Sequence, residues 1–335
     1  MGGRGRLTLD PSGWRHRRAG HARGPRGCPV IHCLGLSPAL DATYGVPALT
    51  VGGIHRPTLA LKLAGGKALN AARALATLGR DVRAIVPLGG RTGDLVADLL
   101  VPTGVALERV PTTTETRMCV TVTDDVELTE FYENAAPLEA DAWRGIRSAV
   151  DAINEGWLLV SGSVPVGVPV DELVQMLTGA TGRGLRVVVD VHGEALDAIV
   201  RAGAASIVKV NRAEAAAVAG AEARALAAGD LADALAQFGV PIVVVTDGVD
   251  GSVARDDDGC RWRARSDAAP GAYAVGSGDS FLAGLVDALE AGETLGAALG
   301  RASATATANA RRPGAALFTE ADAEDASRSI TVTAE

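Results

Sequence analysis

The chain has 335 residues, 47% of them hydrophobic and 21% charged, with a formal charge of −8, which is enough for one large α/β domain or two ordinary ones around a substantial core. Aromatic residues make up only 3%, so the core is expected to consist of Ala, Val and Leu, as in buried parallel strands covered by small-residue helices. No apolar run reaches the length of a bilayer-crossing helix, which argues against a membrane partner, and an acidic body argues against nucleic acid.

Residues 1–29 depart from that body, with seven Arg against one Asp. They show no periodicity and no apolar stretch after Arg17-Arg18, so they are expected to be a disordered basic tail, or an upstream start with the folded chain beginning near Val30. Cys28, Cys33, Cys119 and Cys260 lack the spacing of a metal site or a disulfide framework, which suits a reducing cytoplasm. His32 lies between the first two, but a zinc site needs more ligands than this stretch supplies.

In chain order, a strand over 31–34 leads to Ser37-Pro38-Ala39-Leu40-Asp41, where Asp41 reads as a turn acid. A less helical segment, about 42–63, follows and contains Arg56. Gly65-Gly66-Lys67-Ala68-Leu69-Asn70 then opens a helix over 71–78 that stops at Gly79. A strand over 82–86 runs into Gly89-Gly90-Arg91-Thr92-Gly93, and a second less helical segment, about 107–132, holds Thr116-Arg117 and strand-like 118–123.

From Gly156 onward, strands over 157–160, 186–189, 206–210 and 242–245 alternate with helical stretches, the pattern of a parallel sheet. Their carboxyl ends carry Ser161, Asp190, Asn211 and Thr246, where open α/β sheets bind ligands. The spacing of Asn211 and Glu214 also suits a capping box.

Near the C-terminus, Gly276-Ser277-Gly278-Asp279-Ser280-Phe281-Leu282-Ala283-Gly284 sets a flexible loop before an apolar helix with a carboxylate at the junction. Such a loop can turn N–H groups toward a phosphate at a helix N-terminus, while Asp279 takes a proton from a hydroxyl attacking it. A plain helix start with a first-turn acid explains the same residues.

Taken together and in this order, these segments, with Ser161-Gly162-Ser163-Val164-Pro165, Lys209-Val210-Asn211-Arg212-Ala213-Glu214 and Thr246-Asp247-Gly248, resemble the PfkB (ribokinase-like) carbohydrate kinases, in their phosphofructokinase and tagatose-6-phosphate kinase branch. The likeness runs from about residue 30 to 318. It implies a ribokinase-like α/β domain over 30–330, with a central, mostly parallel sheet flanked by helices. It also implies that 42–63 and 107–132 pair as a small β-sheet lid over the sugar, which in some members joins a homodimer.

The resemblance further implies roles. Asp279 would be the base, with the amides of Gly276, Ser277 and Gly278 stabilising the phosphoryl group in flight. Asp41, Gly65, Gly66, Asn70 and Ser161 would face the sugar, Arg117 and then Arg56 its existing phosphate, and Lys67 matches the phosphoketohexose form of the glycine motif. Lys209, Asn211, Glu214, Thr246, Gly248 and Gly251 would serve ATP, with Asn309 approaching the adenine and Glu214 acting on magnesium through water rather than as a direct ligand.

Three departures stand out: Ala68 where the family usually has Gly, Ile54 where a cation is usual, and His192-Gly193 in place of Ser-Gly after Asp190. The first predicts strain in the loop, and the second removes a phosphate contact. The implied reaction is ATP- and magnesium-dependent phosphorylation of a ketohexose phosphate, with fructose 1-phosphate placed first. Tagatose 6-phosphate, fructose 6-phosphate or an unphosphorylated sugar are the alternatives. Outside that class stand a non-catalytic sugar or nucleotide sensor and a Rossmann dehydrogenase, but residues 35–40 lack the latter's glycine turn.

Overall fold

The computed structural model describes residues 6–7, 30–124 and 126–335. The expected basic tail lies outside the described residues except for a short strand, β1 (Arg6–Leu7). The first half then runs β2 (Ile31–Leu34), β3 (Ala39–Gly45), β4 (Leu59–Gly65), α1 (Lys67–Thr77), β5 (Val82–Leu88), α2 (Gly90–Leu100), β6 (Ala106–Pro111), β7 (Met118–Thr123), β8 (Leu128–Tyr132) and α3 (Ala140–Asp151). The second half begins with β9 (Trp157–Ser161), α4 (Val170–Gly182), β10 (Arg186–Asp190), α5 (Gly193–Arg201), β11 (Ile207–Asn211), α6 (Arg212–Ala219) and α7 (Ala228–Ala236). It closes with β12 (Ile242–Thr246), β13 (Ser252–Arg255), β14 (Arg261–Ser266), α8 (Ser277–Glu290), α9 (Leu295–Asn309), α10 (Glu320–Ser327) and β15 (Ile330–Ala334).

An eleven-stranded sheet has the order β1-β15-β14-β13-β12-β11-β10-β9-β2-β5-β6. The strands from β12 to β6 pair in parallel, whereas β12–β13, β13–β14, β14–β15 and β15–β1 are antiparallel. Successive side chains of a strand enter opposite faces. In β9, Trp157 and Leu159 join the core under α1, α8, α9 and α10, while Leu158 and Val160 join the core under α3 to α7. Both faces are therefore buried, which accounts for the uninterrupted apolar runs in the sequence.

The lid is a separate four-stranded sheet, β4-β3-β7-β8. Two boundaries differ from expectation. β6 pairs with β5 at the edge of the large sheet, so the lid contribution of the second segment begins only at β7. Asp41 belongs to β3, opposite Leu63, rather than to a turn, because the strand starts directly after Pro38. The expected helix over 71–78 begins earlier, at Lys67, which carries Asn70 into its first turn. Among the described residues, no helix is long and apolar enough to cross a membrane.

Candidate active site

Parallel pairing sets the strand ends side by side: Asp190 is in register with Ser161, and Asn211 with Thr246. The first turn of α8 meets this edge at Gly278, beside Lys209 Nζ, and meets α1 at Asp279, which bonds Asn70.

The turn before α8 depends on Gly276, whose φ of 79° lies in the left-handed region. A Cβ there would sit 2.6 Å from the Cβ of Ala315 and 2.8 Å from its Cα, so a larger residue would have to push the turn away from the segment beneath it. The Ser277 N–H donates to Ala274 O at 3.1 Å. Of the three expected amides, that of Ser277 is thus engaged within the turn, and Gly278 and Asp279 stand at the open start of the helix.

Asp279 is buried, and its Oδ2 accepts from Asn70 Nδ2 at 2.9 Å. Burial, followed by the nearby Asp190 charge, pushes its carboxyl up to about 6, against the pull of Asn70, Lys67 and Lys209. Asp41 is likewise pushed up to about 6, first by burial and also by Asp279, while Arg73 and a Gly66 N–H donor favour its carboxylate. Raised folded-state values mean that these two groups contribute stability at low pH that is lost as the pH rises through about 6. For catalysis the sign is opposite, since only the carboxylate accepts a proton. We expect kcat to rise with pH through about 6; a rate constant flat from about pH 5 to about pH 8 would contradict Asp279 as the base.

Gly65 explains how Asp41 reaches this edge. A Cβ on Gly65 would lie 2.0 Å from Asp41 Cγ, so the carboxyl occupies the space a side chain would fill. Asn70, expected to read sugar hydroxyls, has both ends of its amide engaged within the protein: Nδ2 on Asp279, and Oδ1 accepting from Arg73 at 3.3 Å. Its place in the first turn of α1 turns it toward α8 rather than outward.

Lys67 at the start of α1 and Lys209 in β11 meet at one fully buried carboxylate. Their Nζ atoms lie 3.0 and 2.8 Å from the two oxygens of Asp190. Burial alone would raise Asp190, but the two ammonium groups outweigh it and hold the carboxyl below its usual range. Burial pulls Lys67 down, and Asp190 and Asp279 more than reverse this. Lys209 Nζ also lies 3.2 Å from where a Cβ on Gly278 would be. One carboxylate thus fixes two cations, of which Lys209 stands beside the turn before α8. Asp190 was visible in the sequence as a strand end but not as this clamp.

The Arg117 guanidinium donates to Glu133 O at 2.9 Å and to Ser37 O at 3.3 Å, and its Nε is buried without a partner. Ser37 Oγ and Ser161 Oγ are in the same state. Arg117 and Ser37 line one small pocket with Thr112, Thr114 and Glu115. Arg56 and Ile54 lie exposed on the loop between β3 and β4, so Arg56 is not brought into this cluster. Ala68 is helical and free of the expected strain. Among the described non-glycine residues only Ala316 has a positive φ, and Gly35 leaves the room that the Ala68 methyl needs.

Against α8 lies a cleft of about 380 Å³ lined by Thr246, Gly248, Gly251, Phe281, Ala306 and Ala310, with Ser277 and Gly278 among its walls. Its size and apolar walls suit a nucleotide base and sugar. Asn309 does not line it. Its Nδ2 donates to Val275 O at 2.9 Å and Ser277 Oγ at 3.0 Å, and its Oδ1 accepts from Ala316 N at 2.7 Å. Asn309 therefore braces the turn before α8 instead of approaching adenine, because the last turn of α9 faces inward. Asn211 and Glu214 form the capping box of α6, each side chain bonding the other's backbone N–H, and stand at the sheet edge beside Thr246 rather than in the cleft.

A buried carboxylate, an open helix start and two clamped lysines, beside a cleft that suits a nucleotide, define a site for moving a phosphoryl group onto a hydroxyl. The chain belongs to the pfkB family of carbohydrate kinases, whose model matches residues 43–322. It is 36% identical over 187 residues to ATP-dependent 6-phosphofructokinase isozyme 2 of Escherichia coli, a match covering 55% of this chain and 60% of that protein's length. Solved structures of phosphofructokinase-2 from Escherichia coli share 28% identity over 89% of this chain and 98% of theirs; a tetrameric inhibited form has a TM-score of 0.81, and a complex with fructose-6-phosphate 0.78. A possible 1-phosphofructokinase from Thermotoga maritima, 20% identical with a TM-score of 0.81 over 91% of this chain and 99% of that one, shows the same fold.

Proposed function

We propose that the protein transfers the γ-phosphoryl group of ATP to a hydroxymethyl group of a ketohexose phosphate. The observation that carries this reading is Asp279, which sits at the start of α8 where the lid-side and cleft-side groups converge. Its carboxylate takes the proton of the attacking hydroxyl, and the Gly278 and Asp279 amides together with Lys67 and Lys209 stabilise the charge passing through. A pure binding protein gains nothing from a base at that point.

In this reading a magnesium ion would be carried by the nucleotide phosphates, with the Glu214 carboxylate facing it through water, and would neutralise phosphate charge. A cytoplasmic setting belongs to the same reading.

Fructose 6-phosphate takes the place first given to fructose 1-phosphate. The more similar relatives are a 6-phosphofructokinase and a structure in complex with fructose-6-phosphate, whereas the likeness to the 1-phosphofructokinase is one of fold. Fructose 1-phosphate and tagatose 6-phosphate stay as the alternatives, being phosphoketohexoses that fit the Lys67 form of the glycine motif equally. Magnesium-dependent ADP release measured against fructose 6-phosphate, fructose 1-phosphate, tagatose 6-phosphate, fructose and ribose tests the proposal, and silence on all of them would refute it. Arg117→Ala is expected to raise the KM for the sugar phosphate by about tenfold or more through the lost guanidinium contact. An equal rise for a neutral sugar would show that Arg117 does not hold the phosphate. Exposed Ile54, Val126, Phe131 and Tyr132 on the lid support a homodimer through that sheet, which a monomer in sedimentation would overturn.

A further inference from the structure

Helix α1 is rich in Ala and Leu, yet it buries Arg73 with only 5% of its surface exposed. A guanidinium is buried at great cost unless its donors and its charge are matched. Nη1 donates to Ala315 O at 2.6 Å and to Asn70 Oδ1 at 3.3 Å, and Nη2 donates to Ala64 O. These three acceptors belong to different parts of the site. Ala64 lies at the foot of lid strand β4, just before Gly65. Ala315 is the residue against which Gly276 packs. The bond to Asn70 Oδ1 fixes the amide so that Nδ2 faces Asp279.

The charge is matched as well. Burial pulls Arg73 down to about 10, and Asp41 and Asp279 oppose that pull. The groups facing Asp279 are Lys67, Asn70 and Arg73 from α1, Asp41 from β3, Asp190 from β10 and Lys209 from β11. Lys67 and Lys209 are both tied to Asp190. The charged group of α9, Arg301, pairs with Asp287 at the far end of α8. Arg73 is thus the foremost cation at Asp41, with Arg117 behind it, and it also acts on Asp279, where Lys67 and Lys209 are the foremost cations.

We infer that Arg73 is the positioning residue of the phosphoryl-transfer site: it orients Asn70 against Asp279, ties the foot of the lid to the segment under the turn before α8, and sets a buried positive charge beside Asp41 and Asp279. This rests on the kinase reading proposed above. Neither ligand is touched by Arg73, so its effect is on kcat and its pH dependence rather than on ATP affinity.

The test compares wild type, Arg73→Gln and Arg73→Lys by thermal melting, by pH profiles of kcat, and by carbon NMR titration of the Asp carboxyl groups. Arg73→Gln is expected to lower kcat by about 100-fold and to move the acidic limb up by about one unit or more, with the KM for ATP changed less than about threefold. Arg73→Lys keeps the charge but not the fork, so its limb stays at the wild-type pH while kcat falls about tenfold. A folded Arg73→Gln with the wild-type limb and kcat within about threefold overturns the inference. If Arg73→Gln does not fold, Arg73→Lys decides, and either a displaced limb or a wild-type kcat overturns it. The carboxyl titrations separate this from the kinase reading. If wild type phosphorylates nothing, the reaction is wrong, but unmoved Asp41 and Asp279 titrations in Arg73→Gln still refute the role of Arg73.

Discussion

Asp279→Asn is expected to lower kcat by roughly 10²- to 10⁴-fold, the range lost with a general base, while the protein stays folded and still binds ATP. The replacement is nearly isosteric, and the carbonyl of the new amide can keep accepting from Asn70 Nδ2, which now lies 2.9 Å from Asp279 Oδ2. Removing the charge relieves the burial penalty that holds this carboxyl up at about 6, so the melting temperature at neutral pH should be unchanged or higher. Calorimetric titration with an ATP analogue, run beside the turnover assay, separates lost chemistry from lost binding. Turnover within about tenfold of wild type would remove Asp279 from the base role.

Asp190→Asn is expected to have the largest effect on stability. Asp190 is fully buried and answers two ammonium groups at 3.0 and 2.8 Å. Removing one partner of a buried ion pair costs about 3–5 kcal/mol because the other is left uncompensated. Lys209 is nearly buried, whereas Lys67 is about one-third exposed and can turn to water, so most of the penalty falls on Lys209. Denaturant unfolding at neutral pH measures this, and a loss below about 1 kcal/mol would show that the clamp is not a structural necessity. The sign with pH follows from the held-down carboxyl of Asp190. Its contribution is present above the usual carboxylate range and is lost as the pH falls through and below about 4, so wild type and variant should converge in acid. With the lysines released, kcat should fall as well, since the position of Lys209 beside Gly278 depends on Asp190.

Much of this protein is written in local sequence. The apolar runs that end at Ser161, Asp190, Asn211 and Thr246 specify parallel strands with a ligand-binding edge, because a strand buried on both faces needs apolar side chains at every position. The glycine turn before α8 with its first-turn Asp279, and the capping-box spacing of Asn211 and Glu214, are legible because they are properties of a few consecutive residues. The antiparallel β13, β14 and β15 were not legible, since in Arg261–Ser266 the charged residues and the single buried Ala264 carry no mark of the partner strands they join.

The tertiary structure alone decided which polar groups face one another. Asn70 and Asp279 are 209 positions apart in the chain, and Arg73 and Ala315 are 242 apart, so no local pattern couples them. An arginine in an Ala- and Leu-rich helix was a signal that could have been read, but it does not name its acceptors. Lys67 and Lys209 gave no hint of sharing one carboxylate, and Asn309 gave none of bracing Ser277 and Ala316. Sequence by itself determined the elements and the chemistry available at their ends, because backbone pairing and apolar burial follow from short-range periodicity. The fold decided the division of labour among those ends, because hydrogen-bond partners and buried charges are matched only when distant segments are brought to the same few ångströms.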